Sequence, residues 1–344
     1  MLIVRKSNGK LRQSNKIIKY NLVNRYASLR LLRIRKCFHP DVTVLSQLDY
    51  TVIDFTPIIK TYFKDYEPFN SGILFHNNMF YFNCRLSNYV MRESTNQCYY
   101  YNENIKTINI SSKMPNLRKA TMATLNDHYW PFLDGHTSNN ISGIEDIRLF
   151  SVSNSVYGIG NTMQNSDKSR MVLVWFDDTM FITKVKILFF MAGKNQKNWS
   201  FISSPNNTDR FLFIYELMPN TTVIEYIPIA DNIKVVKTTK CKFSVLQNYS
   251  GSTKWIFLSK LGLYLAVVHT HSIDECYHSR FCLMSLDFNI VNITKIIKIS
   301  NERIEYINDI TIDDQNDLIY MTVSIWDKKC IVLIFNLGMV LSYF

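Results

Sequence analysis

A pair of short apolar strands around a polar turn recurs along this chain at a nearly fixed interval, and that repeat limits the folds open to it. GILFHNNMFYFNCRLS reads as strand, Asn77-Asn78 turn, strand. The same grammar returns in IRLFSVSNSVYGIGNT, turning near Ser153-Asn154, and in RMVLVWFDDTMFITKVKILF, turning near Asp177-Asp178. It returns again at Pro219-Asn220, at Lys260-Leu261-Gly262 and within Asp313–Asn316. Polar clusters at Asn70, Glu145, Asn198, Ser252 and Glu305 open five units, and the last four openings lie roughly 53 residues apart. That spacing suits propeller blades of four strands. The first interval is longer, with KMPNLRKATMATLNDHYWPFLDGHTSNN as the insertion.

One such unit cannot cover both of its faces, so the units must close into a ring. The expected fold is therefore all-β, a five-bladed β-propeller over residues 46–344, with TVIDFTPIIKTYF supplying a closing strand. Aromatic and β-branched residues favour strands throughout. At 47% hydrophobic and 19% charged, the chain is a folded globule and not a disordered one.

The net charge of +11 belongs to one end. Residues 1–40 hold eleven Lys and Arg and no acid, and beyond Asp41 the bases balance the acids. Ile18, Leu22, Leu29 and Leu32 fall near helical spacing, so residues 1–45 are expected to form a basic, partly helical N-terminal arm. Such an arm packs on the body as a solvated helix, or binds nucleic acid or an anionic membrane, or serves as an import presequence. No apolar core follows Arg5–Lys6, which argues against a secretory signal, and no run is long enough for a spanning helix. Seven cysteines (37, 84, 98, 241, 276, 282 and 330) form no CxxC pair, so reduced thiols in a cytoplasmic setting are expected, without a zinc site.

A closed ring gathers its inner-strand ends around one axial pocket, so polar residues at the blade openings meet there from distant sequence. Glu145 and Asp146 in GIEDIRLF are the leading pair, with Arg148 two places on. They are either a solvated strand end or acids placed for chemistry, and alternation sends adjacent strand residues to opposite faces. His269, His271 and His278 invite a metal reading, but no carboxylate stands at ligand spacing, and a hydrogen-bonded structural histidine is the commoner outcome. The GxG of YGIGNT lies on a hairpin and lacks the third glycine of a nucleotide loop. No cofactor is expected.

In order, FNSGILFHNNMFYFNCR, GIEDIR, KNW, GST, YLAVVHTH with YHSRF, IEY and SIWD resemble the inverting β-mannoside phosphorylases and related mannosyltransferases. The resemblance runs from about residue 66 to the last residue and implies a five-bladed propeller acting on mannosides or similar sugars. It implies that Asp146 is the general acid, with Arg148 holding substrate or orienting the acid; Ile147 stands where the family motif has proline. A carboxyl can protonate a leaving oxygen when burial or a neighbouring carboxylate raises its pKa, and Glu145 is placed to contribute. By the same resemblance Asn70, Arg85, Lys197, Asn198 and Asp327 hold sugar hydroxyls, which suit amides, guanidinium groups and carboxylates. Trp199 stacks on a sugar or packs in the core. His269 and Tyr277 become phosphate ligands, and Thr253 lies in a substrate-binding loop. That loop, Ser250–Lys254, lacks the arginine that the family's phosphorylases place before a Gly-Gly-Thr-Pro turn; Lys254 offers a point charge instead. The implied partners are a carbohydrate and inorganic phosphate or a sugar phosphate. The alternative is a propeller that binds glycans, or serves as a scaffold, without catalysis.

Overall fold

The computed structural model describes residues 49–344 except 93–96, 101–104, 120–125, 129–140, 163–168, 192–195, 206–208, 272–275, 301 and 303, together with two backbone strands, Ile18–Lys19 and Val42–Val44. The arm expected over residues 1–45 otherwise lies outside the described residues, as does most of the first-unit insertion.

Five sheets follow one another along the chain as the blades of a β-propeller. Blade I is built on Glu67–His76, Met79–Ser87 and Ile105–Met114. Blade II runs Glu145–Val152, Ser155–Thr162, Arg170–Phe176 and Ile182–Leu188. Blade III runs Ser200–Ile202, Phe211–Glu216, Asn220–Ile227 and Asn232–Lys240. In blade IV, Ser250–Gly251 and Ile256–Leu258 both pair with Leu263–His271, which pairs with Tyr277–Ser285. Blade V runs Glu305–Asp313, Leu318–Ile325 and Lys329–Asn336. The hairpin turns fall where the polar breaks predict them.

Closure comes from the start of the chain. Thr51–Asp54 pairs antiparallel with Lys329–Asn336, so blade V takes its outer strand from the segment preceding blade I. Only TVID of the expected closing segment is strand; Pro57, at the first turn, helps start a helix over Thr56–Tyr62. A proline there forfeits no helical hydrogen bond, and its fixed φ suits the helix.

Apolar side chains form five clusters, each between two successive blades. Leu74 and Tyr81 meet Leu149 and Val172 between blades I and II. Phe150 meets Phe201 and Phe213 between II and III, and Ile202 meets Trp255 and Tyr264 between III and IV. Leu265 and Phe281 meet Ile307 and Met321 between IV and V. Phe82 and Cys84 meet Tyr320 and Val332 between V and I, which completes the circle. Burying one large side chain of this kind contributes about 1.5–3 kcal/mol. Trp199 is 1% exposed in the II–III cluster, so of its two expected roles it takes core packing.

Among the described residues no helix is long and apolar enough to cross a membrane. Cys84, Cys241, Cys282 and Cys330 are free and buried, as expected of reduced thiols. Cys276 departs from that expectation and is disulfide-bonded.

Candidate functional site

Three blade openings leave regular strand geometry at the residue that carries the chemistry. Asn70, Asp146 and Asn198 all have left-handed backbones, with φ of 47, 55 and 62. Asn and Asp tolerate that region better than other residues with a Cβ. In blades I and II the pairing register shifts across Phe69/Gly72 and Glu145/Arg148, the mark of a bulge. The bulge corrects the simple alternation: Glu145 and Asp146 do not diverge to opposite faces but both reach Arg85. Gly72 allows the two blades to approach, since a Cβ there would sit 2.4 Å from the carbonyl oxygen of Ile147.

Arg85 donates through Nη1 to Asp146 Oδ1 at 2.8 Å, through Nη2 to Glu145 Oε1, and through Nε to Ser87 Oγ at 3.3 Å. Asn70 Nδ2 donates to the same Asp146 oxygen at 2.9 Å. Asn161 Nδ2 holds the other Glu145 oxygen at 3.0 Å, so Glu145 is engaged at both oxygens. Arg148 donates to the Trp199 carbonyl at 3.2 Å, to Asn198 Oδ1 at 2.9 Å and to the Tyr306 hydroxyl at 2.9 Å. The Tyr306 ring packs edge-on to His269 at 4.8 Å and contacts Tyr277 at 5.6 Å. Asp327, with a φ of 49 in the tight turn before the last strand, accepts from the Tyr89 hydroxyl at 3.0 Å. Blades I, II, III, IV and V thus all contribute to one constellation.

Its charges are unevenly protonated. Burial alone would raise Asp146, but Arg85, the Asn70 amide and Arg148 outweigh it and hold the carboxyl below its usual value. Asp327 goes the other way: burial pushes it up to about 6, the negative charges of Asp146 and Glu145 add to that, and Arg85 and Tyr89 only partly offset it. Burial and the Arg148 charge press His269 down to about 3, so its imidazole is neutral at pH 7. Three buried polar atoms here have no hydrogen-bond partner: Asn70 Oδ1, Arg148 Nε and His269 Nδ1. Leaving such atoms unpaired is costly, and these three, gathered beside the Asp146 carboxylate, are open to a ligand; other buried atoms, such as Trp255 Nε1 and Asn308 Oδ1, are unpaired outside the cluster.

Two predicted residues stand apart from the cluster. Thr253 is fully buried, its hydroxyl donating to the Lys254 carbonyl at 3.0 Å and accepting from Val267 N–H at 2.9 Å. Lys197 is solvent-exposed. Lys254, the point charge considered for phosphate, is buried and donates to the Ile73 carbonyl at 2.6 Å and to Asp309 at 2.9 Å. It serves the ring's interior.

Sequence reasoning missed Asn161, Ser87, Tyr89 and Tyr306. A signal for Ser87 lay in the alternation of FNCRLS against TINISS. Asn83, Arg85 and Ser87 pair with Ser111, Asn109 and Thr107, all buried, so one face of blade I is polar where a blade-to-blade contact is ordinarily apolar. A separate cleft of about 540 Å³ between blades I and V, lined by Tyr50, Phe80, Arg118 and Tyr320 among others, contains none of these charges.

No family model matches the chain, and no curated protein matches it. Solved structures do. A β-1,2-mannobiose phosphorylase from Listeria innocua, in complex with β-1,2-mannobiose, aligns with a TM-score of 0.58 at 10% identity, over 86% of this chain and 99% of that one. A structure described under the GH130 family of mannoside phosphorylases, with hydrolases that target β-1,2 mannosidic linkages in Candida mannan, aligns at 0.53 and 10% identity, over 79% and 84%. An enzyme from Xanthomonas citri complexed with xylotriose aligns at 0.50 and 7% identity, over 78% and 86%. At these identities the likeness is one of fold. The five-bladed ring that the sequence motifs suggested is the ring these glycoside-active proteins share.

Proposed function

We propose that the protein is a glycoside-active enzyme that acts on mannosides or similar sugars at the axial cluster by an inverting displacement, with Asp146 as a catalytic carboxylate. The observation that carries this reading is the meeting of Asn70, Arg85, Asp146, Arg148 and Asn198 around buried polar atoms that still need partners. Amides and guanidinium groups in such an array match the paired hydroxyls of a sugar. The fold neighbours named for mannobiose and mannosidic linkages motivate the choice of sugar.

On the first assignment, Asp146 protonates the leaving oxygen. Its carboxyl is ionised in the unliganded cluster, so turnover on this assignment rises as pH falls toward its lowered pKa. One observation favours a second assignment: Asp327, at about 6, is the group that holds a proton near neutrality. Asp327 then serves as the acid and Asp146 as the base.

Substrates with different leaving groups separate the two. Asp146→Asn is expected to lower turnover of manno-oligosaccharides by about 100-fold or more. An activated dinitrophenyl mannoside needs no acid, so it rescues whichever variant, Asp146→Asn or Asp327→Asn, has lost the proton donor. Wild-type turnover retained in Asp146→Asn would overturn the reading. Glycan binding with no product from any mannoside would leave only the binding propeller.

A further inference from the structure

On the reading above, which this inference rests on, Asp146 exchanges a proton in the reaction. Both hydrogen bonds that reach its carboxylate, from Arg85 Nη1 at 2.8 Å and from Asn70 Nδ2 at 2.9 Å, land on Oδ1. Among the described residues no group donates to Oδ2, so one oxygen is held and the other is open. A guanidinium beside a lone carboxylate does not give that asymmetry. Its two terminal nitrogens form a fork that one carboxylate accepts with both oxygens. Here the fork is split, with Nη1 on Asp146 and Nη2 on Glu145.

Glu145 can divide the fork because it is itself pinned. Its second oxygen accepts from Asn161 Nδ2 at 3.0 Å, and both residues are buried. The two stand opposite each other across the first two strands of blade II. Gly160 permits that close approach, since a Cβ there would lie 2.7 Å from the Glu145 carbonyl oxygen. Asn161 bonds to neither Asp146 nor Arg85, so it reaches the carboxylate only through Glu145. We propose that Asn161 is a positioning residue: by holding Glu145 against Arg85, it stops the guanidinium from capping both oxygens of Asp146 and leaves Oδ2 free to give or take the proton. The role is the same whether Asp146 is the acid or the base.

Without the Asn161 amide, Glu145 keeps a buried oxygen with no donor, which disfavours its ionised form and its place beside Arg85. Arg85 itself stays, because its guanidinium lies over the Phe69 ring at 4.7 Å and Nε donates to Ser87 at 3.3 Å. Its freed nitrogen then closes on Asp146 Oδ2. The other groups whose charge acts on Asp146, namely Arg148, Asp327, His269 and Tyr306, are left in place. The Asp146 carboxyl therefore titrates at lower pH in the variant, whereas a merely loosened network would let it titrate higher.

The test compares the full chain with its Asn161→Leu, Glu145→Ala and doubly substituted variants, by carbon-13 NMR of the aspartate side chains and by kinetics on manno-oligosaccharides. Each single substitution is expected to lower the pH at which Asp146 titrates. Each is also expected to lower kcat by about tenfold or more with KM within about twofold, because the proton transfer is impaired and sugar binding is not. The double variant is expected to do no more than the stronger single one, since one path carries both effects. Asn161→Ser, polar but too short to reach Glu145, is expected to act alike and covers a leucine variant that does not fold. An Asp146 titration unmoved or raised in Asn161→Ser, or effects that add in the double variant, would overturn the inference while leaving the proposed function intact. A lowered titration in a protein that turns over no mannoside would support the split guanidinium and count against the proposed function.

Discussion

Two buried charge clusters face the inner strands of this ring, and they are finished to different degrees. The interior one is Lys254 with Asp309. Asp309 Oδ1 accepts from Lys254 Nζ at 2.9 Å and Ile310 N–H at 3.0 Å, while Oδ2 accepts from the N–H groups of Ile73 and Leu149 at 3.1 Å each. One carboxylate thereby ties together blades I, II, IV and V with every oxygen satisfied. The other cluster, around Asp146, leaves an amide oxygen, a guanidinium N–H and an imidazole nitrogen unpaired. The Lys254–Asp309 pair is fully buried and satisfied, whereas the Asp146 side chain is 20% exposed and has unpaired neighbours, and that difference separates a structural hub from the candidate site. The hub spends its polar groups on the fold, whereas the candidate site leaves some of its own unpaired.

Breaking the hub gives the largest expected effect. Asp309→Ala strands a buried ammonium and frees three backbone N–H groups, so it is expected to cost about 3–5 kcal/mol. Urea denaturation measures this as a lowered midpoint. Replacing both partners, Lys254→Met with Asp309→Leu, removes the charges together and is expected to recover part of that loss, although Ile73, Leu149 and Ile310 still lose their acceptor. An Asp309→Ala protein as stable as the wild type would erase the distinction between the two clusters.

Asp327→Asn probes the site in the opposite direction. The folded pKa of Asp327 lies above its unfolded value, so the folded state favours the protonated form. Its contribution is present below the unfolded pKa and lost as pH rises through about 6. Asparagine stays neutral and can still accept from Tyr89. The variant is therefore expected to be more stable than wild type above that pH, by up to about 3 kcal/mol, with the difference vanishing in acid. Thermal unfolding across a pH series reads it. A variant less stable at pH 8 would mean that the carboxylate there is structurally satisfied after all.

The ring was legible because its signals are local and repeated. Turn residues such as Asn77-Asn78 and Ser153-Asn154 punctuate strands of alternating polarity, and five openings, the last four at a near-constant spacing, leave few architectures. Asn70, Asp146 and Arg148 were legible as blade-opening polar residues. What stayed hidden depends on geometry between blades. Nothing in SGSTK says that Lys254 turns inward to Asp309, whose own strand lies one blade further on. The left-handed backbone at Asp146, which brings Glu145 to the same guanidinium, cannot be read from a pattern of period two. Tyr306 and Tyr89 look like ordinary strand tyrosines until their hydroxyls are seen meeting Arg148 and Asp327.

The smallest expected stability effect falls at Asn70, where it separates backbone from chemistry. The left-handed φ of 47 already favours a small or flexible residue, so Asn70→Gly keeps the backbone without strain and loses only the side chain. Stability is expected to change by no more than about 1 kcal/mol. Asp146 loses one of the hydrogen bonds that hold its pKa down, so its carboxyl titrates at higher pH, which carbon-13 NMR of the aspartate side chains detects. Sugar affinity is expected to fall about tenfold, or about 1.4 kcal/mol, because the unpaired Oδ1 leaves with the amide. If affinity and the Asp146 titration both hold while stability collapses, Asn70 belongs with the hub and the reserve of open hydrogen bonds lies elsewhere.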